Sequence, residues 1–363
     1  DAPVLLFLHG VRWDVRASAP RMRQLHALGF SVLGIDYRGF GRSTAWLPSE
    51  TLAAEDARAA WDWLARRHPQ SRGRLASGRR RGNPRRTLLM KLRSSRVLSL
   101  LRQGQLVTTF KANLNDPRVI ELAGLSGCDA VWICGEHVPN DWTNLENQIR
   151  AARLHDMDTL VRVAKGSYSD YIRPFEADAT GIIVPHVGSA DEARQIVDWV
   201  RCQPLGKRPL DGGNTDGQYC LVPITDYVRH TNEERIIVLQ IESPEALANV
   251  EAIAAVPGFN GFLFGPGDFS HRIGKVGQVE HPEVVAARKH VAQVARRNGK
   301  FAMSAGLFQP FADLVAEGHQ VFNIGADVIG LSGYMKQRLE LVRGQIDALP
   351  GALKPAARSP YGG

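Results

Sequence analysis

Cysteine is scarce in this sequence: Cys128, Cys134, Cys202 and Cys220 are the only four among 363 residues. That is too few for a disulfide framework. No two of them form a C-x-x-C pair, which argues against a zinc or thioredoxin-like site. A reducing, cytoplasmic setting is therefore expected. Long apolar runs are also missing, and nothing approaches the roughly 18 apolar residues that span a bilayer, so no membrane partner is expected. Phosphate and dinucleotide fingerprints are absent too. No G-K-[ST] occurs, and no G-x-G-x-x-G follows the first strand of the regular region that begins at Thr87.

Acidic residues are missing from one stretch. Between Arg72 and Arg96 there are ten Lys or Arg and no Asp or Glu, which more than accounts for the formal net charge of +8. Residues 72–86 are rich in Arg, Gly and Ser, a composition that cannot bury a core and predicts a basic linker. With no aromatic side chain to stack on bases, the stretch does not suggest a nucleic-acid partner. A junction in the gene model would leave the same trace.

What is present divides into two textures. Residues 1–71 open on a strand, Val4–Leu8, ending in His9-Gly10, with no initiator Met and no basic leader segment before it. This start reads as a strand rather than a signal peptide, as in a piece of a longer chain. A helix over Pro20–Leu28, a strand over Phe30–Asp36, a glycine-rich turn (Tyr37-Arg38-Gly39-Phe40-Gly41-Arg42-Ser43) and a helix over 51–67 follow. This βαβα order, with the His9-Gly10 turn and Asp36 to Ser43, resembles the amino-terminal part of the α/β-hydrolase fold. The resemblance implies a nucleophile on a G-x-S-x-G elbow after the next strand. No apolar strand is evident after Ser71 and no G-x-S-x-G occurs anywhere, so the module is expected to be an incomplete, inactive hydrolase-like segment.

From Thr87 to about residue 350, short apolar strands alternate with amphipathic helices. Predicted helices cover 88–103, 116–125, 143–154, 168–176, 189–201, 244–254, 282–298, 308–317 and 333–348. Residues 203–233 read as irregular, and a glycine-containing loop is expected from Gly265 to Val279. The alternation means parallel strands with right-handed crossovers, and about eight strands fit a closed (β/α)8 TIM-type barrel. The expected divisions are 1–71, a linker 72–86, a barrel 87–350 and a tail 351–363.

Barrel chemistry lies at the carboxyl ends of the strands. Those ends are Gly135-Glu136-His137, Val161-Arg162-Val163, Val184-Pro185-His186, Gln240-Ile241-Glu242 and Gly265-Pro266-Gly267-Asp268. Glu242 and Asp268 are one βα unit apart, and two such carboxylates repel unless one protonates or a cation intervenes. A hard divalent ion, Mg²⁺ or Mn²⁺, suits oxygen ligands with positions left for substrate. Gln240, two residues before Glu242, points to the same side and can orient a ligand without adding charge. Arg162 offers a fork of donors for a carboxylate or a developing enolate oxygen. His137 titrates near neutrality and is the best general base among them. The plainer alternatives are structural: capping or ion-paired acids, an ion-pairing Arg162, and a helix-entry His137. His186 is expected to pack or touch substrate rather than bind metal. Lys165, in a polar loop, is a poor Schiff-base candidate.

Together these stretches resemble the metal-dependent class II pyruvate aldolases of the 4-hydroxy-2-oxoheptanedioate / 2-dehydro-3-deoxyglucarate aldolase family. The matching segments are Gly135 to Asp141, Leu160 to Val163, Gly181 to Pro185, Gln240 to Glu242 and Gly265 to Ser270, in the family's order. The resemblance implies that Glu242 and Asp268 bind a divalent ion (Mg²⁺ or Mn²⁺, with Co²⁺ as an alternative) that chelates a 2-keto acid. It further implies that backbone N–H groups around Gly267 and Asp268 hold the substrate carboxylate. Arg162 would stabilise the pyruvate enolate, and His137 would take the 4-hydroxyl proton in retro-aldol cleavage. A homo-oligomer is implied as well, commonly a hexamer exchanging its last helix. Two departures stand out. Cys134 occupies the place of an acid that normally pairs with the histidine, with Glu136 or a neighbouring subunit as possible substitutes. The stretch Leu205 to Gly217 replaces a shorter loop. The alternatives are a hydrolase-related protein with an inactive module, or a lyase acting on another metal-chelated 2-keto acid.

Overall fold

The structure, a computed structural model, describes residues 4–9, 14–47, 49–67, 75–77 and 92–351. It divides into two compact units, residues 1–89 and 90–363.

In the first unit, β1 (Val4–Leu8) is the middle strand of a parallel sheet. Helix α1 (Ala19–Ala27) leads to β2 (Ser31–Ile35), which pairs along the whole of β1. Helix α2 (Glu50–Arg67) packs Leu64 against Val4 and Leu6. A third strand, β3 (Leu75–Ser77), pairs with β1 on its other side. The basic composition hid this strand, because only three residues pair and arginines flank them. The remainder of the predicted linker 72–86 lies outside the described residues, as do Gly10 and all but the first residue of the predicted tail. Buried His9, at the end of β1, places Nε2 3.3 Å from Asp36 Oδ1 and packs on Tyr37 and Phe40.

The second unit is the barrel that the alternation predicts. Helix α3 (Arg96–Arg102), capped by Ser95, precedes β4 (Val107–Ala112), α4 (Pro117–Leu125), β5 (Ala130–Cys134) and α5 (Trp142–Leu154). Next come β6 (Asp158–Arg162), α6 (Tyr168–Glu176), β7 (Gly181–Val184), α7 (Ala190–Val200) and α8 (Ile224–Glu234). Strand β8 (Ile236–Ile241) is followed by α9 (Pro244–Ala248), α10 (Val250–Ala254), β9 (Gly261–Phe264) and α11 (Pro266–Arg272). The series closes with α12 (Pro282–Arg297), β10 (Phe301–Ser304), α13 (Phe311–Glu317), β11 (His319–Ala326) and α14 (Asp327–Asp347). The eight strands β4–β11 close in the order β10-β11-β4-β5-β6-β7-β8-β9, all parallel.

Several elements differ from the sequence expectation: the helix over 88–103 is formed over Arg96–Arg102, with 88–91 outside the described residues, and the last helix begins at Asp327 rather than at 333. Residues 224–233 of the stretch read as irregular belong to α8, the loop after Gly265 begins with the short helix α11, and the helix over 244–254 breaks at Asn249. Pro266 starts α11 because its fixed φ and missing N–H suit a first helical position.

Strand periodicity divides the core in two. Val107, Ala130, Trp132, Leu160, Ile183, Ile236, Val238, Leu263, Met303 and Val321 fill the barrel. Their neighbours Val131, Ile133, Val161, Ile182, Ile237, Leu239 and Phe262 face the helices. Each such buried aliphatic side chain contributes about 1.5–3 kcal/mol. Val97 and Leu98 of α3 join the interior cluster. Fully buried Asp158, at the start of β6, anchors this region. Its carboxylate takes an ion pair from Arg93, the Ser95 hydroxyl at 2.7 Å and the Val97 N–H at 2.9 Å.

Candidate active site

The same alternation determines which side chains reach the opposite end of the barrel. Following inward Trp132, Leu160 and Val238 by two residues gives Cys134, Arg162 and Gln240. Glu136, His186, Glu242 and Asp268 come from the segments just beyond β5, β7, β8 and β9.

Glu242 is 1% exposed. Its Oε1 accepts the His186 backbone N–H at 2.7 Å and lies 2.8 Å from His186 Nδ1, while Oε2 accepts a hydrogen bond from Gln240 Nε2. Burial pushes this carboxyl upward and the Asp268 charge pushes it further, against the opposing hydrogen bonds. Asp268 and Gly267 are exposed beside it, in the first turn of α11. Gly265 is required here. A Cβ at that position would lie 2.7 Å from Glu242 Oε2 and 3.1 Å from Gln240 Nε2.

Arg162 is held on the other side of the opening. Its Nη2 donates to Cys134 Sγ at 3.1 Å, its Nε lies 3.0 Å from Glu136 Oε2, and its guanidinium stands 5.0 Å from the Trp132 ring centroid. Glu136 is the hub. Besides Arg162 it approaches His137 Nε2 at 3.5 Å and His186 Nε2 at 3.3 Å. The His137 ring is largely exposed, and its backbone N–H donates to Cys134 Sγ at 3.5 Å. Asn140 closes the turn by donating to the Cys134 carbonyl at 3.2 Å.

The predicted residues thus form two adjoining clusters. One is Gln240, Glu242 and Asp268, and the other is Cys134, Glu136, His137 and Arg162. Sequence reasoning undervalued His186, which bridges Glu136 and Glu242 and adopts φ 54°. It passed over Lys111, whose signal was a charge at an inward position of an otherwise uncharged strand. Arg208 and Asp216, from the departing loop, are buried and pair with each other at 3.1 Å and with the Tyr227 hydroxyl, so they pack helices rather than line the opening.

The donor set fits a hard divalent cation. The Asp268 charge disfavours that of the buried Glu242, and the buried Gln240 Oε1 has no hydrogen-bond partner among the described residues. Among those residues no three His, Cys, Asp or Glu side chains converge to hold a metal, so the carboxylate pair would leave positions for other oxygen ligands.

Residues 109–331 match the family described as HpcH/HpaI aldolase/citrate lyase. The chain belongs to this family. Among its relatives is a hydroxypyruvate/pyruvate aldolase of Pseudomonas aeruginosa, 33% identical over 213 residues, which are 59% of this chain and 79% of the relative. A 5-keto-4-deoxy-D-glucarate aldolase of Klebsiella pneumoniae is 34% identical over 187 residues, 52% of this chain and 72% of that one. The crystal structure of an HpcH/HpaI aldolase from Desulfitobacterium hafniense superposes with a TM-score of 0.65 at 26% identity, covering 70% of this chain and 97% of that one. The family match accounts for the barrel alone. Residues 2–78 separately match the family described as serine aminopeptidase, S33, in keeping with the parallel sheet β2-β1-β3.

Proposed function

We propose that the protein catalyses reversible, divalent-metal-dependent aldol cleavage of a 4-hydroxy-2-oxoacid, giving pyruvate or a close 2-keto acid and an aldehyde. The observation that carries this reading is the buried Glu242 carboxylate, pushed upward by burial and by the Asp268 charge, and linked through His186 to Glu136, which in turn meets Arg162 and His137.

In this reading Glu242 and Asp268 hold the ion, Mg²⁺ or Mn²⁺, and Gln240 keeps Glu242 oriented. When bound, the ion supplies Lewis-acid polarisation of the keto acid. Backbone N–H groups at Gly267 and Asp268 receive the substrate carboxylate. Arg162 stabilises the charge that develops on the keto oxygen as the carbon–carbon bond breaks, a donor fixed in advance by Cys134, Glu136 and Trp132. His137 Nε2 removes the 4-hydroxyl proton and returns it in the condensation direction. Glu136 is the carboxylate near that imidazole, and it takes the orienting role that Cys134 cannot fill.

The reading takes residues 87–350 as the catalytic unit and residues 1–71 as a hydrolase-like segment without a nucleophile. A cytoplasmic homo-oligomer is part of it. Helix α14 supports assembly, because Ile329, Leu331, Tyr334, Met335, Leu339, Leu341 and Val342 are exposed on several sides of one helix. A second copy of this chain would bury them. Among the described residues no helix is long and apolar enough to cross a membrane.

The test is pyruvate release from a panel of 4-hydroxy-2-oxoacids, with and without EDTA and with Mg²⁺ or Mn²⁺ restored. Turnover that survives exhaustive chelation would remove Glu242 and Asp268 from their metal-binding roles.

A further inference from the structure

The two clusters at the opening meet through one side chain. His186 lies just beyond β7 and adopts φ 54°, a left-handed conformation that residues with a Cβ seldom take. Three backbone contacts hold it there. The His186 N–H donates to Glu242 Oε1 at 2.7 Å, the Val187 N–H to the Gln240 carbonyl at 3.3 Å, and the Lys165 ammonium to the His186 carbonyl at 2.8 Å. Held this way, the ring stands between two carboxylates. Nδ1 lies 2.8 Å from Glu242 Oε1, and Nε2 lies 3.3 Å from Glu136 Oε1. The strands that lead to these acids, β8 and β5, are three places apart in the barrel order, so the imidazole spans a gap that no shared strand register closes. The other oxygen of Glu136 faces Arg162 Nε at 3.0 Å and His137 Nε2 at 3.5 Å. A continuous chain of polar contacts therefore runs from Glu242 through His186 and Glu136 to Arg162 and His137.

The outer partners of a metal-holding carboxylate fix its orientation, and through it the affinity for the ion. Glu242 already receives the His186 N–H on Oε1 and Gln240 Nε2 on Oε2, and these serve Glu242 alone. The His186 ring touches an acid of each cluster. We propose that His186 is a positioning residue that ties the Glu242 carboxylate to Glu136, so that a change at Glu136 is felt in metal affinity through the imidazole. By reciprocity, an ion held at Glu242 orders Glu136, and with it Arg162 and His137. This rests on the reading of Glu242 as a metal-binding carboxylate. It adds to that reading a connection from the ion to the groups that move the proton and hold the developing charge.

The experiment is a double-mutant cycle on Mn²⁺ affinity, measured by calorimetry on the full chain without substrate. Glu136→Gln removes the charge and keeps the shape. His186→Gly removes the ring and keeps the backbone, because glycine takes φ 54° without strain. Glu136→Gln is expected to weaken Mn²⁺ binding about tenfold in wild type and no more than about twofold in His186→Gly. The residual factor is the through-space effect of the Glu136 charge, which is present in both backgrounds. Factors that agree within about twofold between the backgrounds overturn the proposal and leave His186 a structural turn residue. If urea unfolding shows that His186→Gly does not fold, His186→Asn closes the cycle, and the same factors decide. Asparagine also tolerates a left-handed backbone, and its side chain is too short to meet both acids. Wild-type protein that binds no Mn²⁺ would overturn the metal-dependent reading and this inference with it, a result distinct from tight binding with equal factors.

Discussion

Cys134 Sγ accepts a hydrogen bond from Arg162 Nη2 at 3.1 Å, joining two strand-end residues that are paired in the β5–β6 register. Burial alone would push the thiol up. The Arg162 charge and the backbone N–H groups of His137 and Glu136 outweigh it, so the thiol titrates below its usual range. The sulfur is therefore a partner of the arginine rather than of the histidine ring, and Glu136 stands nearer that ring.

Cys134→Ala is expected to lower kcat about 10- to 100-fold with little change in metal affinity. A hydrogen bond to a charged group contributes about 1.5–3 kcal/mol, and each 1.4 kcal/mol is about tenfold in rate. Steady-state kinetics beside metal titration by calorimetry separates the two effects. A parallel loss of metal binding would contradict the Arg162-positioning role.

Replacing His137 by Ala should reduce turnover by about 10²–10⁴-fold, the usual range for a lost general base. Glu136→Gln should reduce it less, because the imidazole remains. Unchanged pyruvate release in His137→Ala would exclude His137 as the base.

Gly265→Ala places a methyl group 2.7 Å from Glu242 Oε2 and 2.8 Å from its Cβ. The carboxylate must move, so metal affinity is expected to fall at least tenfold while the far-ultraviolet circular dichroism stays that of the wild type. Retained affinity would show that Glu242 does not bind the ion from this position.

His230, on α8, has its imidazole pushed down to about 4 by burial and, after that, by the Arg235 charge, from an ordinary 6.5. Between those two values the unfolded chain binds a proton that the fold refuses, so stability falls as pH drops through that window and levels off below it. His230→Gln should lose less stability than wild type between pH 7 and pH 4.5 in urea unfolding. Equal losses would assign the acid sensitivity to other groups.

Asp158→Ala should destabilise the barrel unit by about 3–5 kcal/mol, because it leaves Arg93 without its buried partner and removes the acceptor for Ser95 and Val97. Denaturant midpoints measure this directly, and a change below about 1 kcal/mol would mean that the region relaxes around the loss.

The barrel was legible because its strands are apolar runs such as Ala130–Cys134 set between helices of clear periodicity. The strand-end rule then pointed to Arg162, Glu242 and Asp268 without a structure. Leu75–Ser77 was not legible, since its strand character comes from pairing with β1 rather than from its own short sequence. Helix α8 was hidden behind the glycine-rich stretch before it, and α11 behind a Pro-Gly pair that also begins loops. His186 and Lys111 needed three dimensions. One is defined by two carboxylates from other strands, and the other by an aromatic ring on the neighbouring strand.

Strand β6 carries Asp158 at its first residue and Arg162 at its last. Four residue steps at ~3.3 Å each separate a group that secures the fold from one that faces substrate, a gap of about 13 Å. Laboratory evolution could therefore vary the rim around Arg162 broadly while leaving the foundation at Asp158 untouched. Deep mutational libraries should show this as two opposite tolerances within a single pentapeptide, one read by expression level and the other by turnover.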